Sequence, residues 1–192
     1  MKIFDSDMPE ETYWNSLFDV DTIVEWLSLE RVSDPIVEIG CGYGTFTVQI
    51  AKAFSRIVHA FDIEPEMIAR TKQNARRAGL RNVRFHVGDV VEQGTGLSTG
   101  SVGLVLLFNV LHSTERGLLL REASRVLKWS GRVAIIHWRK DIETPRGPNV
   151  ESRPDQRVIL DSASGLNLAF TGNSRVLEPY HWGMQLTKEG KG

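Results

Sequence analysis

The segment Val37-Glu38-Ile39-Gly40-Cys41-Gly42-Tyr43-Gly44 holds the residues best suited to hold a bound molecule. Three glycines at alternate positions let the main chain come close to a ligand, and a helix starting there would aim amide groups outward. A plain strand-to-helix turn uses the same glycines, so the surroundings must decide. Asp62, in Phe61-Asp62-Ile63, stands about 20 residues beyond the glycines, where a carboxylate takes both hydroxyls of a ribose. Asp89, in His86-Val87-Gly88-Asp89-Val90, is placed to accept from an adenine amino group while Val90 lies against the ring. Taken singly, Asp62 is a helix N-cap and Asp89 a turn residue. Together with the glycine turn they mark three successive strand ends on the crevice side of an open sheet, which is where such sheets bind ligands.

Acid–base chemistry points to the histidines. His112 follows the fourth apolar run on the same edge and is the candidate general base, with capping of the next helix as its alternative. His137 ends the fifth run beside Trp138 and Arg139, which either line an acceptor pocket or finish the sheet. His59 and His86 fall inside strands, and His181 sits between Tyr180 and Trp182, positions that suit packing. Tyr13 and Trp14 can cover a bound molecule from the N-terminal segment, or pack in the core. Arg146, between Pro145 and Pro148, is placed to grip an acidic substrate, although an exposed arginine needs no such role. Cys41 reads as a small residue that fits the turn and not as a nucleophile. No Cys/His pair has metal-ligand spacing, and no paired acids follow the fourth run, so no metal is expected.

The elements that position these residues alternate. Ile36 to Ile39, Arg56 to Ile63, Asn82 to Val87, Ser101 to Phe108 and Arg132 to Trp138 read as strands. Thr45 to Phe54, Pro65 to Ala78 and the stretch around Leu119 to Leu127 read as helices between them, the second opened by proline and closed by Gly79. The near-continuous apolar run Val102 to Phe108 suits a strand buried on both faces. Such alternation predicts an α/β fold: a doubly wound Rossmann-like sheet of about seven strands, mostly parallel, with helices on both faces. An antiparallel C-terminal hairpin, from Leu166 to Leu177 and His181 to Thr187, is expected to close it. Before Pro35, a Thr22-x-x-Glu25 capping box and apolar positions Val20, Ile23, Val24 and Leu27 predict a helix. The division expected is one domain, 1–192, with a helical cap (1–34), a cofactor-binding core (35–138) and a substrate-side loop, helix and closing strands (139–192).

The 192-residue chain is 41% hydrophobic and 24% charged, ordinary globular usage that excludes disordered or collagen-like classes. Its 23 Lys and Arg against 24 Asp and Glu give a net charge of -1, so no global attraction to nucleic acid or to an anionic membrane is expected. Two local basic stretches, Arg70 to Arg81 and Arg116 to Lys140, read as solvated helical faces. A single cysteine and the start Met1 to Asp7, which lacks an apolar signal core, fit a cytoplasmic protein, monomer or homodimer.

The pattern Glu38-x-Gly40-x-Gly42-x-Gly44, Asp62, Gly88-Asp89 and Leu106-Leu107-Phe108-Asn109-Val110-Leu111-His112 resembles class I S-adenosylmethionine-dependent methyltransferases, over roughly Ile36 to Trp138. It is most similar to the small-molecule branch typified by ubiquinone and menaquinone biosynthesis, to which Arg125-Val126-Leu127-Lys128-x-x-Gly131 also corresponds. The resemblance implies S-adenosylmethionine as cofactor. Glu38 and Gly40 would then address its amino-acid end, with Cys41 in the same turn and Gly42 and Gly44 leaving room. Asp62 would hold the ribose, Asp89 the adenine, Ile63 and Val90 its two faces, and Phe108 the methionine portion. His112 would be catalytic, with Tyr13, His137 and Arg139 toward a small-molecule methyl acceptor. An NAD-linked dehydrogenase would need glycine where Thr45 stands. Nucleic-acid amino-methyltransferases carry two prolines after the fourth strand, which Phe108-Asn109-Val110 lacks. The alternative from another class is a cofactor-binding scaffold or regulatory subunit without turnover.

Overall fold

The computed structural model describes residues 8–190, so the reading of Met1 to Asp7 lies outside the described residues. Seven strands form one sheet: β1 (Ile36–Ile39), β2 (Val58–Asp62), β3 (Val83–Val87), β4 (Val102–Phe108), β5 (Leu127–Trp138), β6 (Leu168–Leu177) and β7 (His181–Lys188). Their order is β3-β2-β1-β4-β5-β7-β6. The first five are parallel, and β7 runs antiparallel to both β5 and β6, as the sequence predicts. The chain winds outward from β1 through β2 to β3, then returns to place β4 on the other side of β1. That reversal opens a crevice at the carboxyl ends of β1 and β4.

Seven helices cover the sheet: α1 (Glu11–Asn15), α2 (Val20–Trp26), α3 (Thr45–Ala53), α4 (Pro65–Arg77), α5 (Val90–Gln93), α6 (Arg116–Val126) and α7 (Gln156–Ala163). Alternation along β4 assigns the two faces. Leu104, Leu106 and Phe108 join Phe46, Ile50, Ile68 and Ile23 in one core layer beneath α2, α3 and α4. Val105 and Leu107 join Leu120, Ala123 and Ile159 in the other, beneath α6 and α7.

Three local readings are corrected. Helix α2 is capped by Asp19, which accepts from the Thr22 amide at 3.1 Å and the Thr22 hydroxyl at 2.7 Å, so no Thr22-to-Glu25 box forms. A carboxylate one turn earlier outcompeted it. Strand β5 begins at Leu127, five residues before the expected Arg132, through an irregularity at Val102 and Leu104 that lets Leu127 pair with Val102. The short helix α5 was not foreseen; Asp89 nucleates it by accepting from the Val91 amide.

Candidate active site

Register brings the predicted residues to one edge. Ile39 pairs with Phe61 on one side and Leu107 on the other, while Asp62 pairs with Val87. The turn after β1 therefore emerges between the ends of β2 and β4. Gly40 has φ +79°, and a Cβ there would sit 2.5 Å from Cγ1 of Val110, so the position excludes any side chain.

The turn is held from within. The amides of Gly40 and Cys41 both donate to the Phe61 carbonyl, at 2.8 and 2.9 Å, and the Gly44 amide donates to the Cys41 carbonyl at 2.8 Å. The Gly42 amide donates to Oδ2 of Asp62 at 2.8 Å. The amides of Gly40, Cys41, Gly42 and Gly44 are thus consumed in closing the turn, and the place a side chain at Gly40 would need is taken by Val110.

Asp62 also accepts from the Glu64 amide at 3.0 Å through Oδ1, and burial raises its carboxyl above the ordinary range. Asp89 caps α5 through Oδ1 alone, accepting from the amides of Val91 and Glu92. Asp62 is thus not the cap of α4, whose N-cap is Glu64, whereas Asp89 caps α5 and is more than a turn residue; both remain in the wall of one cleft of about 130 Å³. Gly40, Asp62, Ile63, Asp89 and Val90, all predicted, share that wall. Sequence reasoning missed Val110, Ser113, Glu115 and Leu119, which close it from the far side. Val110 lies in the run after Leu106 that carries the resemblance, with no role assigned to it, and the other three follow with no motif spacing; only the proximity of that loop to the crevice could have pointed there.

Other predicted residues lie elsewhere. Glu38 is buried beneath the turn, where Thr47 Oγ1 donates to its Oε2 and Oε1 has no partner. Burial first, with the nearby Asp62 charge adding to it, pushes its carboxyl up to about 8. Cys41 points into the core with its thiol 3.7 Å from the Thr71 hydroxyl, and burial pushes the thiol up, which suits a packing residue. Gly42 meets the side chain of Met8, and Gly44 is backed by Thr71. Phe108, expected at the methionine portion, packs its ring on Phe46, with centroids 4.9 Å apart, because its strand position faces α3, which leaves its main-chain carbonyl as the group it can offer.

His112 sits beyond β4 with Nδ1 3.1 Å from the Asn109 carbonyl. Donation to that carbonyl fixes the proton on Nδ1 and makes Nε2 the lone-pair nitrogen. Burial is the main cause that lowers its pKa. His137, whose ring centroid lies 6.0 Å from that of His112, is enclosed and not open; neither ring nitrogen has a hydrogen-bond partner, and burial lowers its pKa to about 3. Arg139 is held by Asp141 at 2.8 Å and lies 3.7 Å from Glu178, turning its charge along the edge. Tyr13 is an exposed residue of α1, while Trp14 packs edge-on to Phe18 and Trp138. The α1 segment is fastened over the glycine turn: the Tyr43 hydroxyl donates to the Pro9 carbonyl at 2.7 Å, and Glu11 accepts from Arg70 and Asn74 at 2.5 and 2.6 Å.

Among the described residues no group of three or more His, Cys, Asp or Glu could hold a metal ion, and no helix is long and apolar enough to cross a membrane.

Comparison with known proteins agrees with this architecture. The profile of a family described as "Methyltransferase domain" matches residues 31–168. The 23S rRNA (uracil(1939)-C(5))-methyltransferase RlmD of Aeromonas hydrophila is 34% identical over 90 residues, 46% of this chain and 20% of that protein. The ribosomal protein L11 methyltransferase of Acinetobacter baylyi is 34% identical over 116 residues, 58% of this chain and 37% of the relative. The chain thus spans only a fifth to about a third of the length of these curated relatives. A crystal structure of a SAM-dependent methyltransferase from Aquifex aeolicus superposes with a TM-score of 0.79 at 21% identity, covering 93% of this chain and 94% of the other.

Proposed function

The chain belongs to the class I S-adenosylmethionine-dependent methyltransferase family, and on that premise we propose that it transfers a methyl group from S-adenosylmethionine to a small-molecule acceptor. The observation that carries the reading is the cleft itself: two carboxylates from successive strand ends, Asp62 and Asp89, stand in an otherwise largely apolar wall beside a glycine that admits no Cβ. This donor set fits an adenosine. Asp62 is the acceptor for ribose hydroxyls, Ile63 and Val90 are apolar plates for a base, and Gly40 brings bare main chain to the wall where the amino-acid end would pass.

When bound, S-adenosylmethionine supplies an electrophilic methyl group on a positively charged sulfur. The protein's part is to orient, to exclude water and to move one proton. In-line displacement needs alignment more than covalent help, and a rigid turn tied to Phe61 and Asp62 provides a fixed floor for it. An oxygen or nitrogen acceptor loses a proton, and His112, its ring oriented by the Asn109 carbonyl, is the residue we assign to receive it. A lowered pKa keeps that ring neutral and ready at physiological pH. His137 and Arg139 then act as supports of the acceptor side, His137 as an uncharged wall behind His112 and Arg139 as a strut to Asp141.

The matched rRNA and ribosomal-protein methyltransferases favour a second reading, a macromolecular acceptor. The net charge of -1 argues for the small molecule. Purified protein incubated with S-adenosylmethionine and either a deproteinised metabolite extract or total RNA separates them. Formation of S-adenosylhomocysteine with the metabolite extract alone is the expected result. Formation with RNA alone overturns the acceptor class, and cofactor binding with no turnover on any pool supports the scaffold alternative.

A further inference from the structure

We propose that Glu115 reads the exocyclic amine of the adenine from the side of the cleft facing Asp89, so that the site selects adenosine over its deaminated, inosine counterpart. The inference rests on the cofactor reading above and assigns a residue that reading does not use. Asp89 follows β3 and Glu115 follows β4, and these strands lie on opposite flanks of the β1–β2 pair, so the two carboxylates reach the cleft from opposite sides. Asp89 spends Oδ1 on the amides of Val91 and Glu92, which leaves Oδ2 for a ligand. Glu115 is the residue before α6, and its helix bonds come from its backbone carbonyl, which accepts from the amide of Leu118 at 2.8 Å. Its side chain caps nothing, and Oε2 is buried without a hydrogen-bond partner.

A buried carboxylate oxygen without a donor is costly; the Ser113 hydroxyl is the one side-chain donor among the residues of this wall and does not bond Oε2, while the side chains of Phe61, Ile63 and Leu119 have none to give. A ligand donor must fill that need. Adenine brings one amine with two hydrogens, and two carboxylates approaching from two sides accept one each. Hypoxanthine presents a keto oxygen at the same place, which would face two carboxylates with no proton between. A site built to accept from an N–H rejects the analogue that lacks it far more strongly than an apolar pocket can.

Isothermal titration of S-adenosylhomocysteine and S-inosylhomocysteine into the wild type, Glu115→Ala and Glu115→Gln tests the assignment without any turnover. The wild type should prefer the adenosine compound by on the order of 100-fold. Glu115→Ala should weaken the adenosine compound about tenfold or more and shrink the preference. Glu115→Gln, which can present an N–H to a keto oxygen, should improve binding of the inosine compound. The proposal is overturned if Glu115→Ala keeps both the wild-type affinity and the wild-type preference. Should that variant fail to fold, judged by its melting midpoint, an unchanged preference in Glu115→Gln overturns it equally. Wild-type protein that binds neither nucleoside overturns the cofactor reading itself, whereas tight binding with an indifferent Glu115 overturns this inference alone.

Discussion

Replacing Glu38 by glutamine should abolish a decline in stability that the wild type shows above neutral pH. The side chain is 1% exposed, has one oxygen on the Thr47 hydroxyl and the other without a partner, and its carboxyl is pushed from 4.5 up to about 8. Between those two values the folded chain holds a proton that the unfolded chain has released. Folding stability is therefore fully present below pH 4.5 and is lost as pH rises through about 8, at about 1.4 kcal/mol per pH unit, or roughly 5 kcal/mol over the whole interval.

Two histidines oppose this on the acid side. His137 and His181 are both lowered to about 3 by burial, so below 6.5 the unfolded chain takes up two protons that the folded chain refuses. With His59, His86 and His112 also lowered by burial, the histidines outweigh Glu38 and the raised Asp62 up to 6.5, and beyond it the decline set by Glu38 dominates. Wild-type stability should peak near pH 6.5 and fall by roughly 2 kcal/mol on reaching pH 8, whereas Glu38→Gln should stay level over that range. Urea unfolding at fixed ionic strength, at several pH values between 5 and 8, measures both curves. A wild type that is flat from pH 6.5 to 8, or a variant with the same decline, would refute the assignment of the proton to Glu38.

Three further outcomes follow from the geometry. His112→Ala should leave S-adenosylhomocysteine affinity nearly unchanged in calorimetry while slowing methylation by about 100-fold, and an equally active variant would remove His112 as the base. Gly40→Ala should cost roughly 2–4 kcal/mol in denaturant unfolding, because it adds a left-handed penalty to a contact with Val110; the double variant with Val110→Ala should recover only the steric share. His137→Phe removes two unpartnered buried nitrogens and should gain about 1 kcal/mol at pH 7 and flatten the acid limb; a loss of stability at pH 7 would show that the ring has a partner in solution.

The fold was legible because its strands are short apolar runs between punctuating residues, and α3 and α4 carry their own starts, Gly44 and Pro65. Pro65 opens α4 and Gly79 follows its end; Val102 to Phe108 is apolar because β4 is buried on both faces. That same property hid the aim of Phe108. A strand apolar throughout gives no alternation from which to tell its two faces, and only the pairing with Leu104 and Leu106 under α3 shows that the ring points to Phe46. The start of β5 was hidden because Ser130 and Gly131 break the apolar run before Arg132, yet the chain continues in the strand through them. The acids of the cleft wall, Asp62 and Asp89, were visible because motif spacing tied them to strand ends. Ser113 and Glu115 were not, since a loop after a strand has no period and its reach into the crevice is decided in three dimensions.

The energetics of the site follow from where polar atoms go unpaired. Among the described residues, the buried side-chain atoms without a hydrogen bond belong to Glu38, Asn109, Glu115 and His137. Glu38 lies one residue from the end of β1, Asn109 and Glu115 follow β4, and His137 is next to last in β5, so all of them fall at the carboxyl edge of adjacent parallel strands. Stability alone would scatter such defects or remove them, because each costs about 1–3 kcal/mol and an apolar replacement of similar shape is close to neutral. Their confinement to one edge, beside a turn whose Gly40 admits no side chain, places the unpaired polar atoms at the end of the sheet where the proposed site lies. The core below that edge is apolar on both sides of β4, and its burial offsets what the edge gives up.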